Sequence, residues 1–361
     1  MPAVSNDFGR GPEETPNSCE KKAGAQTSAK GTFSGPLFIV GRPRSGTKLL
    51  MTLLNEHPRV SIPIAETNFM SSMVARFGDP PRFDDPARLD DFYRRFSNTV
   101  FFEWRKSFDV VLTKDELRVR ADLNLWSSIF ETILKYHAPK PVVEGVIWGD
   151  KSPVNLTWIG ELKSMFETAR VLHIIRDPRD LSLSAKKAWG KHPYGSADSW
   201  QREVSAARAV GSRLGTDYLE IKYEALLNDS AKTMRLACSF LEVEFTPEML
   251  QLSVSYEELG DATGRLDVVT SNQNKYTKAF DARKIRRIEE IVYPTLLESG
   301  YTADFADTHL PLEPISRRAL SVRDGVALTW HYSKVNGVSW GLKYLLRQVQ
   351  GRMAGPGRGR S

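Results

Sequence analysis

Cysteine is almost absent: Cys19 and Cys238 are the only two in 361 residues. That excludes a disulfide framework, and Cys238, inside an apolar helical pattern, reads as a small buried residue. No apolar run approaches the roughly 18 residues that a transmembrane helix needs. The N-terminal stretch has no charged segment followed by an apolar one, so no secretory leader is read there. Histidine is sparse, with six residues. There is no H-E-x-x-H pair, Cys/His cluster or carboxylate-rich loop, so no metal is expected. Cations exceed carboxylates by 50 to 44, for a net charge of +6. The excess is spread out, without a long basic block, zinc finger or RNA-binding aromatic signature. This suits small anionic ligands rather than nucleic acid.

What is present is enough for a full core. At 41% hydrophobic content the chain supports one large domain, alone or with appendages. Residues 1–34 are rich in Gly, Ser, Thr, Pro, Lys and Glu and are expected to be disordered. Apolar runs at 37–40, 60–64, 142–148, 171–175 and 217–222 read as buried strands. Helical spacing predicts helices at about 47–57, 155–167, 178–189, 197–213, 230–241 and 281–298. Residues 68–137 read as a helical insertion, broken by Asp-Pro-Pro and Asp-Asp-Pro turns near 79–86. The alternation predicts an α/β fold, a parallel sheet flanked by helices, with ligand loops at the carboxyl ends of the strands. The domain is expected over 35–305, with a C-terminal extension over 306–361. In that extension 339–353 could form a basic amphipathic helix suited to a membrane surface or a partner chain. The final GPGRGRS reads as a flexible tail. No internal repeat is found.

The most informative stretch is 36–54, PLFIVGRPRSGTKLLMTLL. A strand stops at Gly41, a turn of small and cationic residues follows, and a helix begins. Such a strand–turn–helix gathers backbone N–H groups and helix-dipole potential into an anion site. The NTPase signature is G-x-x-x-x-G-K-[ST]. Gly41 and Gly46 have its separation. Thr47, however, stands where the Lys belongs, and Lys48 comes one place late and precedes Leu49 instead of a magnesium-binding hydroxyl. A nucleotide held without a metal, by Arg44 and hydroxyls, fits this loop better.

Pro43-Arg44-Ser45-Gly46-Thr47-Lys48-Leu49 resembles the first phosphosulfate loop of sulfotransferases that use 3′-phosphoadenosine 5′-phosphosulfate (PAPS), with Lys48 in place of the family's second Thr. Three more segments match in order. In RVLHIIRDPRDLSLS (170–184), Asp177 can cap the following helix and Pro178 suits its first turn. Arg176 and Ser184 match the family's 3′-phosphate pair. Lys151 in GDKSP matches the Lys that reaches the sulfuryl group in bacterial and tyrosylprotein-type members. Tyr223 matches the Tyr of the family's Y-E-x-L strand end. Lys275 resembles the family's G-K-[WY] element, with Asn274 replacing Gly.

The resemblance spans about 36–301. It implies the P-loop-like sulfotransferase fold, PAPS as cofactor with adenosine 3′,5′-bisphosphate as product, no metal, and sulfuryl transfer to a hydroxyl by in-line displacement. Such transfer depends on positioning and electrostatics, plus a base for the acceptor proton. Glu66 stands where similar enzymes carry a catalytic Glu, although it could instead cap a following helix. The implied site is Glu66, Arg44 and Lys151 for catalysis. Arg44, Ser45, Gly46, Thr47, Lys48, Leu49, Arg176, Ser184, Tyr223 and Lys275 would bind the cofactor. His173, inside a strand, reads as a core histidine, and His57 as a helix-end residue. The acceptor (small molecule, carbohydrate, lipid or peptide tyrosine) and the oligomeric state are not legible. A cytoplasmic enzyme is expected. Two other classes stay open. A P-loop kinase or NTPase is one, since VIWGD (146–150) imitates a Walker B strand. A non-catalytic nucleotide-binding protein, with Lys48 as the mark of a decayed site, is the other.

Overall fold

The sheet is built from short segments, the most apolar of which, LFIV, lies at its centre with a strand on each side. The computed structural model describes residues 32–256 and 263–337. Its strands are β1 (Leu37–Val40), β2 (Val60–Ser61), β3 (Ile147–Lys151), β4 (Arg170–Ile175) and β5 (Tyr218–Lys222). All pair in parallel in the order β2-β3-β1-β4-β5. Central β1 is fully buried, as a strand covered on both faces must be. Phe38 and Val40 enter one core, and Leu37 and Ile39 the other.

The helices are α1 (Thr47–Asn55), α2 (Met70–Phe77), α3 (Pro86–Phe96), α4 (Val100–Lys106), α5 (Lys114–Arg120), α6 (Trp126–Tyr136), α7 (Ile159–Met165), α8 (Pro178–Trp189), α9 (Pro193–Gly211), α10 (Tyr223–Asn228), α11 (Ser230–Leu241), α12 (Tyr276–Ala279), α13 (Ala282–Glu298) and α14 (Pro314–Asn336). The expected α/β architecture is present, and α8 and α11 have the expected bounds. The insertion between β2 and β3 is helical, as expected. Its aromatic residues lock together edge to face: Phe77 on Phe83 at 5.1 Å and Phe83 on Trp126 at 5.4 Å between ring centroids.

Several boundaries differ, each for a tertiary reason. β3 covers 147–151 rather than 142–148. Gly, Asp and Lys are poor strand formers, but Gly149 lies against β1 so closely that a Cβ would stand 1.8 Å from the Leu37 carbonyl oxygen. That approach carries the ladder on to Lys151, opposite Ile39. β2 is two residues long, not five, because it pairs only with Ile147 and Trp148. The 155–167 helix is a 3-10 turn, Pro153–Thr157, followed by α7. α9 begins four residues early, where His192 caps it ahead of Pro193. α14 was not anticipated. The expected helix at 339–353, the terminal tail and most of the 1–34 segment lie outside the described residues. Among the described residues no helix is long and apolar enough to cross a membrane.

Candidate active site

The carboxyl ends of β1, β3, β4 and β5 bring the chemistry-bearing segments to one edge of the sheet. After Val40 the chain turns through 41–46 into α1. Arg44 adopts a left-handed φ of 76°, a conformation that costs a non-glycine residue on the order of 1 kcal/mol. It is held by Arg176, whose Nη1 donates to the Arg44 carbonyl at 3.0 Å. Gly46, the residue before α1, has φ 95°, and a Cβ there would meet the Tyr223 ring at 2.3 Å. Only glycine fits. The amides of Thr47, Lys48 and Leu49 form the first turn of α1, where a helix has no internal acceptors. The Leu49 side chain is in the core, so its backbone is what it can offer a ligand.

Arg176 ends β4 and holds the site together. Its Nη2 donates to the Asn272 carbonyl at 2.9 Å, and its guanidinium lies 4.4 Å from the Tyr223 ring centroid. Asn272 completes the loop: its Nδ2 donates to the Tyr223 hydroxyl at 2.9 Å, and its Oδ1 accepts from Lys275 Nζ at 3.0 Å. Asn274 sits at φ 56°, a left-handed position that Asn tolerates and Gly prefers, which explains the exchange seen in the sequence. Two residues on, the Tyr276 N–H donates to Asp180 at 2.9 Å. The expected Arg176–Ser184 pair is linked through Arg44, whose Nε donates to Ser184 Oγ at 3.1 Å. Asp177 caps α8 through the Arg179 amide, and Pro178 opens it. Arg179 itself is structural, buried in ion pairs with Asp177, Glu289 and Asp304 at 2.7, 2.6 and 3.0 Å.

Lys151 leaves β3 with 2% of its side chain exposed and places Nζ 2.6 Å from Glu66 Oε1. The other Glu66 oxygen accepts from Asn68 Nδ2 at 3.2 Å. Glu66 caps no helix: α2 begins after Phe69, without a side-chain cap. The carboxylate is 36% exposed, open to an incoming group on one side and held by an ammonium on the other. Behind the pair lies Asp150, fully buried. Its Oδ2 accepts from Asn155 Nδ2 at 2.8 Å, and Oδ1 has no full hydrogen bond among the described residues. Burial pushes its carboxyl up to about 6, against the pull of the nearby Thr67 and Ser152 hydroxyls.

Sequence reasoning missed Asp150, Asn155, Asn272 and Trp189, whose ring centroid lies 5.8 Å from the Arg44 guanidinium. It also missed Tyr332 of α14, a hydroxyl whose pKa is raised by burial and by the Glu66 charge. The Asp before Lys151 and the Asn two residues before Asn274 stood in segments already singled out; their partners are distant in sequence. His173 is a core residue as expected. Its Nδ1 is 2.6 Å from the Tyr218 hydroxyl, and burial lowers its pKa to about 3. His57 accepts from the Arg59 amide at 3.1 Å.

The arrangement has two parts: an anion cradle of Arg44, Arg176, Lys275 and the starts of α1 and α8, and an acid–base pair at its side. A phosphorylated, doubly anionic cofactor fits the cradle. Ser45 Oγ and Arg176 Nε are buried there without a partner among the described residues, leaving hydrogen-bonding capacity for an anion to take up.

The chain is similar to rat (Rattus norvegicus) sulfotransferase 2A6, 28% identical over 116 residues, which is 26% of this chain and 39% of that protein. The match thus spans well under half of the curated relative's length. Among solved structures it is similar to the sulfotransferase domain of the Synechococcus PCC 7002 olefin synthase (22% identity, 72% of this chain and 95% of that chain, TM-score 0.48). It is also similar to the sulfotransferase domain from the curacin biosynthetic pathway (16% identity, 81% and 98%, TM-score 0.44). The model of the family described as "Sulfotransferase family" matches residues 36–247. That is more than half of the chain, and it takes in the loop, Glu66, Lys151, Arg176, Ser184 and Tyr223: the chain belongs to the sulfotransferase family.

Proposed function

We propose that this protein transfers a sulfuryl group from PAPS to an acceptor hydroxyl. The observation that carries the reading is the Lys151–Glu66 pair at 2.6 Å, set beside a glycine loop that Arg176 holds by its Arg44 carbonyl. Bound PAPS would supply the sulfuryl group on an anhydride whose departure leaves adenosine 3′,5′-bisphosphate. In this reading Ser45, Gly46 and Thr47 hold the 5′-phosphate, with the first-turn amides of Lys48 and Leu49. Arg176 and Ser184 hold the 3′-phosphate, while Tyr223 and Lys275 close over the nucleotide. Arg44 and Lys151 neutralise the charge that develops on the transferred oxygens. Glu66 takes the acceptor's proton, and Lys151 keeps its carboxylate aimed until then.

The helical insertion forms the acceptor side of a catalytic domain over 35–305, and the reaction takes place in the cytoplasm. The kinase reading loses support because Asp150, the carboxylate of the Walker B-like VIWGD, is fully buried and accepts from Asn155, while Lys151 beside it is ion-paired with Glu66.

Calorimetric titration tests the cofactor class. Adenosine 3′,5′-bisphosphate should bind tightly with or without Mg²⁺, and ATP weakly. A preference for Mg·ATP would overturn the proposal. Glu66→Gln tests the base: kcat should fall by about 10²–10⁴ with cofactor affinity unchanged, as read with labelled PAPS and an acceptor found by screening. Unchanged turnover would remove Glu66 from that role.

A further inference from the structure

α14 lies outside the part of the chain that matches the family, and its two faces differ. The inner face is anchored. Arg317 Nε is 3.0 Å from both carboxylate oxygens of Asp198, Asp324 accepts from the His192 amide at 2.8 Å, and Ala327 approaches Gly190. The outer face is not. Ile315, Ala319, Val322, Val326 and Trp330 recur every three or four residues and so form one stripe. The four large ones are 83, 58, 63 and 73% exposed. Exposed Arg318 borders the stripe on one side, Arg323 and Lys334 on the other. None of the three forms an ion pair with a described residue, whereas both carboxylates of the helix's inner contact, Asp198 and Asp324, are engaged inward. The sequence that follows, 338–361, adds five Lys or Arg and no Asp or Glu.

An apolar stripe with a Trp, rimmed by cations and free of carboxylates, matches the interface of an acidic bilayer. The apolar side chains enter the headgroup boundary while the cations meet anionic headgroups. A protein partner would have to be equally acidic at its rim and apolar at its centre. A second copy of this chain would set Arg318, Arg323 and Lys334 against the same cations, which disfavours self-association. We propose that the outer face of α14 docks this protein on a membrane surface that carries acidic headgroups.

The full chain should sediment with vesicles containing about one third phosphatidylglycerol and not with pure phosphatidylcholine vesicles. Salt raised to about 0.5 M should release it, because the Debye length then falls to a few ångströms. Val326→Asp and Trp330→Asp should each lower the partition by about tenfold. Arg318→Glu with Arg323→Glu should lower it about fivefold or more for each charge removed. These residues are exposed, so circular dichroism and the melting temperature should not change. Equal binding to neutral vesicles, binding that none of the variants alters, or no binding at all would overturn the proposal. So would a dimer seen by light scattering that Val326→Asp dissociates. The assay reads no sulfuryl transfer, so its failure is separate from failure of the proposed reaction.

Discussion

Three residues carry distinguishable consequences. Arg176 spends two N–H groups on carbonyls and its face on Tyr223, and its Nε is unused. Arg176→Ala should weaken bisphosphate binding by about 1.5–3 kcal/mol, measured by calorimetry; unchanged affinity would remove it from the anion cradle. At Gly46 the Tyr223 ring leaves no room for a methyl group. Gly46→Ala should therefore reduce cofactor affinity at least as strongly, and a Tyr223→Leu background should relieve part of the loss. Asp150 is a different case. Burial raises its carboxyl to about 6, so between its ordinary value and about 6 the folded state holds a proton that the unfolded state has released. Stability from this group therefore declines as pH rises through that window. Asp150→Asn should remove that decline from a plot of melting temperature against pH. It should also lower kcat if Asn155 and the Thr67 loop no longer hold Lys151 and Glu66 together.

At the scale of elements, α8 and the turn after it join the candidate site to the rest of the chain. The helix supplies Ser184 and the Asp180 that fixes the Lys275 segment, and the turn after it receives α14. Asp198 on α9 is the inner anchor, accepting from both Arg317 and Arg202. Asp198→Ala should increase hydrogen exchange across 314–336 while leaving protection of β1 and β4 intact. Equal loss of protection in both would mean that α14 is part of the global folding unit. The insertion depends on its aromatic packing. Phe96, fully buried, stacks on Phe92 at 6.0 Å and meets Phe102 edge-on at 5.1 Å. Phe96→Ala should cost about 3–5 kcal/mol of stability, measured by denaturant unfolding.

For the molecule as a whole, buried histidines are expected to lower stability toward acid pH. His137 and His173 are both pulled down to about 3, with burial as the first cause. The unfolded chain therefore binds protons at these sites from about pH 6.5 downward while the folded chain does not, and stability falls as pH falls. Each histidine contributes a slope of at most about 1.4 kcal/mol per pH unit, opposite in sign to that of Asp150. His137 packs edge-on against Phe101 at 5.0 Å, with neither ring nitrogen bonded among the described residues. His137→Phe should keep the packing and flatten the acid side of the stability profile. An unchanged profile would mean that the carboxylates dominate it.

The sequence by itself determined the α/β class, the strand order along the chain and four candidate segments that come to one edge of the sheet. Local physics fixes these: apolar runs make buried strands, glycine and proline punctuate, and a cationic turn before a helix makes an anion site. The tertiary structure decided the rest. That β3 runs on to Lys151 depends on β1 pressing against Gly149. That Arg44 faces Ser184, and that Asn272 ties Arg176 and Tyr223 together, depends on residues 140, 96 and 49 positions apart meeting at one sheet edge. That Glu66 is a paired carboxylate and not a helix cap depends on Lys151 arriving from another strand. A single chain read in order shows which groups are present. Their pairing is set by long-range packing, whose energy is shared among contacts that no local pattern records.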